Sequence, residues 1–162
     1  MTDYQPPTQA ELTELEIAAF MGPHIKRARL ALVIVGALYA LAAGLHYSDI
    51  SKLHDAVSGR GDSEIKSLVD KAYYFVVFTG IAGVANLALA AIAGKKASFA
   101  MYAAMAIFAA YTLFELSLGV AFFLDWLWWL TAITVGMGFQ AAYKADKLRR
   151  DRAAGVEPAL SL

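Results

Sequence analysis

Residues 97–143 read ASFAMYAAMAIFAAYTLFELSLGVAFFLDWLWWLTAITVGMGFQAAY, 47 positions with two charged side chains, Glu115 and Asp125. A hydrocarbon core about 30 Å thick is crossed by about 20 apolar helical residues. The stretch is too long for one crossing and suits two, joined by a tight turn. The turn is placed at Leu124-Asp125-Trp126, where the Asp125 carboxylate caps the next helix by accepting its free backbone N–H groups. Trp126, Trp128 and Trp129 follow at once. Tryptophan collects at the membrane–water interface, with its ring buried and its N–H wet, so these three form the expected interface belt. The alternative turn is Leu118-Gly119, which would leave Val120 to Leu124 at a membrane edge.

Two further apolar runs precede this stretch, at 28–48 and 72–93. The expected fold class is an all-α membrane protein, a four-transmembrane-helix bundle with spans at 28–48, 72–93, 98–122 and 125–144 and a turn at 94–97. Composition agrees. The chain is 59% hydrophobic and 17% charged, against about 45–50% and about 25% in soluble domains. Net charge is zero and cysteine is absent. No global field attracts nucleic acid, and thiol catalysis, disulfides and cysteine-bound metals are excluded. His24, His46 and His54 form no close metal-binding pair, so no cofactor or metal is expected. No signal-peptide pattern is expected either. The first apolar run follows an acidic segment with Glu11, Glu14 and Glu16 rather than a short basic one, although Ala40-Leu41-Ala42 has the small residues of a cleavage site.

Lysine and arginine set the orientation. Lys26, Arg27, Arg29, Lys95, Lys96, Lys144, Lys147, Arg149, Arg150 and Arg152 fall on one side. Lys52, Arg60, Lys66 and Lys71 fall on the other, among five acids. The positive-inside rule then puts both termini in the cytoplasm, and the alanine-rich composition suggests a bacterial inner membrane.

Outside the spans, the loop 49–71 keeps helical spacing on both sides of Ser58-Gly59-Arg60-Gly61-Asp62. This predicts an extramembrane helical hairpin that extends the first two helices, with its tip at those turn residues. Arg60-Gly61-Asp62 spells an adhesion tripeptide, but a three-residue match is first a polar turn. The N-terminal segment 1–27 predicts a short amphipathic helix, opened by Thr8 and Glu11 at capping-box spacing and ended by Gly22-Pro23. The tail 145–162 is basic at its start. The two cytoplasmic ends either pair or lie solvated beside the headgroups.

Small and polar residues mark helix contacts in lipid. The expected stripes are Gly36, Ala40 and Gly44; Thr79, Gly83, Asn86 and Ala90; Ser98, Tyr102, Ala109, Thr112, Glu115 and Gly119; and Thr131, Thr134, Gly138 and Ala142. Glu115 is the most informative, since a carboxyl inside a span normally faces protein or water. It is either a structural hydrogen-bonding group or a proton or cation site, with Thr112 one turn away and Tyr111 close by. His46, near the outer end of the first span, either packs toward the second helix or joins Glu115 and Asp125 in a polar cluster. Asn86 and Thr79 either bond across helices or line a water path.

Enzyme signatures are missing: no phosphate-binding glycine loop, zinc-protease motif or elbow serine occurs. Two functions remain. One is a non-enzymatic accessory or assembly protein working through helix–helix contacts, as a homo-oligomer or a subunit of a larger membrane complex. The other is a small oligomeric ion or proton channel or transporter, with Glu115, Asn86 and Thr79 near its path.

Overall fold

The computed structural model describes residues 9–57, 63–117 and 126–154. Four helices make up the order α1 (Gln9–Val57), α2 (Ser63–Ile92), α3 (Ala97–Ser117) and α4 (Trp126–Ala153). Among the described residues there are no strands. Three helical stretches, Met21–Lys52, Ser63–Ile92 and Ala97–Ser117, are long and apolar enough to cross a membrane, which points to a membrane protein. The fourth expected span is helical from Trp126 but less apolar. Its first half carries no charge, yet it is diluted by three tryptophans, two threonines and Gln140, and its second half is basic.

The bundle is packed small-side-in. Buried positions on α1 are Ala28, Leu32, Val35, Tyr39 and Ala42, at alternating steps of four and three. α3 buries Ala97, Ala100, Met101, Ala104, Tyr111 and Glu115. Large apolar side chains point outward instead, among them Leu30, Leu45, Ile81, Val84, Leu113 and Ile133. A water-soluble bundle would reverse this order. In lipid the outside is as apolar as leucine, so close backbone approach between small residues holds the helices together. α1 and α2 approach closely at Gly36 and Gly83: a Cβ on Gly83 would lie 3.1 Å from the Gly36 carbonyl oxygen.

Contacts across the bundle fix its directions. On α3 and α4, Ser98 Oγ donates to the Ala142 carbonyl at 3.4 Å and Trp128 Nε1 donates to Thr112 Oγ1 at 2.9 Å, so the two run antiparallel. A Cβ on Gly138 would meet both Ala31 and Met101, and Tyr39 touches Tyr111. α1 and α3 therefore run parallel, both antiparallel to α4.

Three expectations change. First, Gly22-Pro23 does not end a helix, because α1 runs through Pro23. The residue before a proline is normally pushed out of helical geometry by a clash with its Cβ. Gly22 has none, and Met21 is buried against the bundle, which offsets the missing hydrogen bond. Second, only Gly36 of the α1 stripe is buried; Ala40 is exposed, and a Cβ on Gly44 would meet nothing within 4 Å. Steps of four drift about 40° per step around a helix of 3.6 residues per turn. Third, Tyr102 and Ala109 of the α3 stripe face outward. At about 100° per residue they share a face with Ser98, while Glu115 lies about 100° round from it.

Helical structure does continue on both sides of the expected hairpin, to Val57 and from Ser63. The hairpin tip 58–62, the turn region 118–125 with Gly119 and Asp125, and the tail beyond 154 lie outside the described residues.

Candidate functional site

A buried polar cluster sits where α1, α2 and α3 meet. Glu115 is 1% exposed, and Thr79 and Asn86 are fully buried. Glu115 shares a side-chain hydrogen bond with Tyr111, whose phenol is also within hydrogen-bond reach of Thr79. Tyr39, from α1, lies close enough to Glu115 for the two to interact electrostatically, and its ring meets the Tyr111 ring edge-on at 4.9 Å. Spacing explains the convergence. Tyr111 and Glu115 are four residues apart, hence neighbours on one face of α3. Tyr39 continues the buried line of α1 through Ala28, Leu32 and Val35.

Aromatic rings seal the cluster. Phe75 and Phe78 of α2 lie 5.7 and 6.5 Å from Tyr111. Phe114 packs on both of them, at 6.3 and 5.1 Å. Glu115 is about 27 Å along α3 from Ala97, so it lies toward one end of the span. Its burial comes from sideways packing rather than from depth. The Thr79 hydroxyl also donates to the carbonyl of Phe75 at 2.7 Å, a local bond that ties its rotamer to α2.

Asn86 sits two turns further along α2. Its Nδ2 donates to the Ala82 carbonyl at 2.8 Å, and its Oδ1 has no hydrogen-bond partner among the described residues. The Tyr39 hydroxyl is likewise buried without one.

Other candidate residues lie apart from this cluster. The Thr112 hydroxyl donates to the Phe108 carbonyl at 3.0 Å and accepts from Trp128. It therefore faces α4. His46 is exposed and packs edge-on against Phe75 of α2 at 5.3 Å. Among the described residues, no three His, Asp or Glu side chains are placed to hold a metal ion. Asp125, the third member of the expected His46–Glu115–Asp125 grouping, lies outside them.

The three tryptophans do not share one environment. Trp126 and Trp129 are exposed, whereas Trp128 is half-buried against Phe108 at 5.4 Å. Trp128 was expected to have a wet N–H; that N–H is taken up by Thr112 instead. Neighbouring residues point about 100° apart on a helix, so of these tryptophans at one level Trp128 turns toward α3 while Trp126 and Trp129 stay on the outside. Trp128→Phe removes the donor and, with it, one ring of the indole. We expect a coupling of about 0.6 kcal/mol between Trp128 and Thr112, the usual size of an interhelical hydrogen bond in a membrane bundle. A double-mutant cycle with Thr112→Val, by unfolding in detergent micelles, measures it. Additive losses would mean that the bond carries no coupling.

The site thus holds a carboxyl, two phenols and a threonine hydroxyl on three helices. Such a group can tie helices together or hold a proton. The sequence pointed to Glu115, Thr79 and Asn86 as polar residues inside apolar runs. It gave no sign that Tyr39 belonged with them, beyond its place on the four-and-three spacing of α1. Comparison with known protein families, curated proteins and solved structures finds no match to this chain.

Proposed function

We propose that this chain is a small multi-pass, non-enzymatic protein of a bacterial inner membrane. It acts through helix–helix contacts, as a homo-oligomer or as an accessory subunit of a larger membrane complex. The observation that carries this reading is where the polar groups lie. Thr79, Asn86, Glu115 and Thr131 are all buried within one chain, while its outer faces carry large apolar side chains. A pore formed between subunits would need Glu115 on an outer face. The Glu115 cluster then serves as an internal lock that keeps the bundle in one arrangement while its outer faces meet partners.

We propose further that α4 also crosses the bilayer. It lies along α3 from the level of Ser98 to that of Thr112. It also buries Val135, Ala141 and Ala142 in the common core. With four crossings, and ten of the fourteen basic residues on one side, both termini are cytoplasmic. The outer ends of α1 and α2 then stand beyond the membrane.

A second reading is favoured by the Tyr111–Glu115 hydrogen bond alone. A carboxyl inside a span that shares protons with phenols is the kind of group that relays protons. In that case the path runs inside one chain.

Extraction into nanodiscs, followed by mass measurement of the particle, tests the assembly reading. A defined homo-oligomer or a stoichiometric complex is expected; a monomer under every gentle extraction would overturn it. Proteoliposomes should pass no more protons than empty vesicles. A flux abolished by Glu115→Gln would replace assembly with transport. Orientation is open to labelling because the chain has no cysteine. Gly59→Cys should react with an impermeant maleimide from outside and Ser161→Cys should not.

A further inference from the structure

A groove of about 360 Å³ runs between α1 and α4. Such a volume falls within the range of small-ligand clefts, about 300–1,000 Å³. Its lining is graded. His24 and Arg27 of α1 and Lys144 of α4 lie at one end, with Gln140 next to them, and Leu30, Ile34 and Met137 line the stretch beyond together with Thr134, whose hydroxyl donates to the Leu130 carbonyl at 2.7 Å. Because α1 and α4 run antiparallel, residues 24 and 144 share a level, as do 34 and 134. The groove therefore passes from basic to apolar over about 15 Å, ten residues on each helix. Among the described side chains, no acidic one lines it. The nearest acid along α4 in the tail direction, Asp146, is paired with Arg149 at 3.8 Å. Neither Arg27 nor Lys144 forms an ion pair with a described residue.

We infer that this groove binds one anionic phospholipid of the cytoplasmic leaflet, with its phosphate between Arg27 and Lys144 and an acyl chain along Leu30, Ile34 and Met137. Basic pockets between membrane helices on the cytoplasmic side take acidic lipid headgroups. The match here is one of both charge and position, because the cations lie where the headgroups are and the apolar wall lies where the chains are. A soluble phosphate would use only the first half of the groove. Ala31 and Gly138 meet at the floor of the groove, where their short side chains let α1 and α4 approach closely. The inference rests on α4 crossing the bilayer. It does not depend on the assembly role, since lipid retention is read on the particle whatever its subunit number.

The full chain is purified from nanodiscs containing equal phosphatidylglycerol and phosphatidylcholine, and retained lipid is counted by native mass spectrometry. Phosphatidylglycerol should be retained about 10- to 30-fold over phosphatidylcholine, the effect of two cations on an anionic headgroup. The double variant Arg27→Gln/Lys144→Gln should bring the ratio to near one. Lys95→Gln/Lys96→Gln, the same charge change on the same side but outside the groove, should leave it unchanged. All four lysine and arginine side chains are exposed, so both variants should fold, which the thermal midpoint checks. Equal retention of the two lipids by the wild type would overturn the inference. So would an equal loss in the two double variants, which would reduce the preference to the general field of the basic surface. Displacement by millimolar glycerol phosphate would make this a soluble-phosphate site and overturn it as well.

Discussion

Gly138→Val is expected to lower the thermal midpoint of the detergent-solubilised chain by about 6–12 °C, from a stability loss of about 3 kcal/mol. Gly138 is the point where α4 meets both α1 and α3. A Cβ there would lie 2.7 Å from the Ala31 Cβ and 2.8 Å from the Met101 Cε. Met101 ends in a flexible thioether and can turn aside. Ala31 cannot, because its Cβ moves only with the α1 backbone, so α1 and α4 must separate. Overpacking a tight core costs about 1–3 kcal/mol. Valine adds two methyl groups beyond the first clash and belongs at the upper end. Separation also loses the close approach on which the bundle depends, because lipid supplies no hydrophobic drive to restore it. Gly136→Val is the control. It lies two residues away on the same helix, and a Cβ there meets nothing within 4 Å. It should change the midpoint by no more than about 2 °C. Equal losses at the two glycines would place the effect in the helix itself and not in the contact.

Gly138 was legible in the sequence, as were Thr131, Gly83 and Ala90, because small and polar residues repeat through α2 and α4 at mixed steps of three and four. On α1 the same search followed Gly36, Ala40 and Gly44, which look like a motif but turn steadily away from the core. The real contact line, through Ala28, Leu32, Val35 and Tyr39, mixes large and small residues and carries no compositional mark. Pro23 misled for a related reason: its helix-breaking effect depends on the residue before it, and Gly22 removes half of the steric objection. Moving the expected turn between Leu118-Gly119 and Leu124-Asp125-Trp126 shifts Glu115 only in its distance from the membrane surface. Axial depth alone would decide whether Glu115 is buried if it faced lipid or water. It faces Tyr39 and Tyr111 instead, and tertiary neighbours of that kind cannot be read from a one-dimensional count.

Those neighbours set up the second large effect. Glu115→Ala should cost about 3–5 kcal/mol, and Glu115→Gln about 1 kcal/mol or less. Alanine leaves a cavity among Tyr39, Tyr111 and the phenylalanines, and it takes the carboxyl from the Tyr111 phenol, which keeps only Thr79 within reach. The lost hydrogen bond costs about 0.5–1.5 kcal/mol, and the cavity adds the lost packing of a large buried side chain, about 2–5 kcal/mol. Glutamine keeps the volume and offers its carbonyl oxygen to the same phenol. The two tyrosines should then behave differently. Tyr111→Phe removes a hydrogen bond to Glu115 and should cost about 1–2 kcal/mol. Tyr39→Phe removes a hydroxyl that is buried with no hydrogen-bond partner among the described residues. It should leave stability unchanged within about 0.5 kcal/mol or raise it, because that hydroxyl loses its water on folding and gains no bond. A cycle combining Glu115→Gln with Tyr111→Phe, read by chemical unfolding in micelles, gives their coupling, and the cycle with Tyr39→Phe should give almost none. If Tyr39→Phe costs as much as Tyr111→Phe, the carboxyl is shared by both phenols. The cluster would then have a hydrogen-bonded chain from α1 to α3, the arrangement that proton relay needs and a simple lock does not.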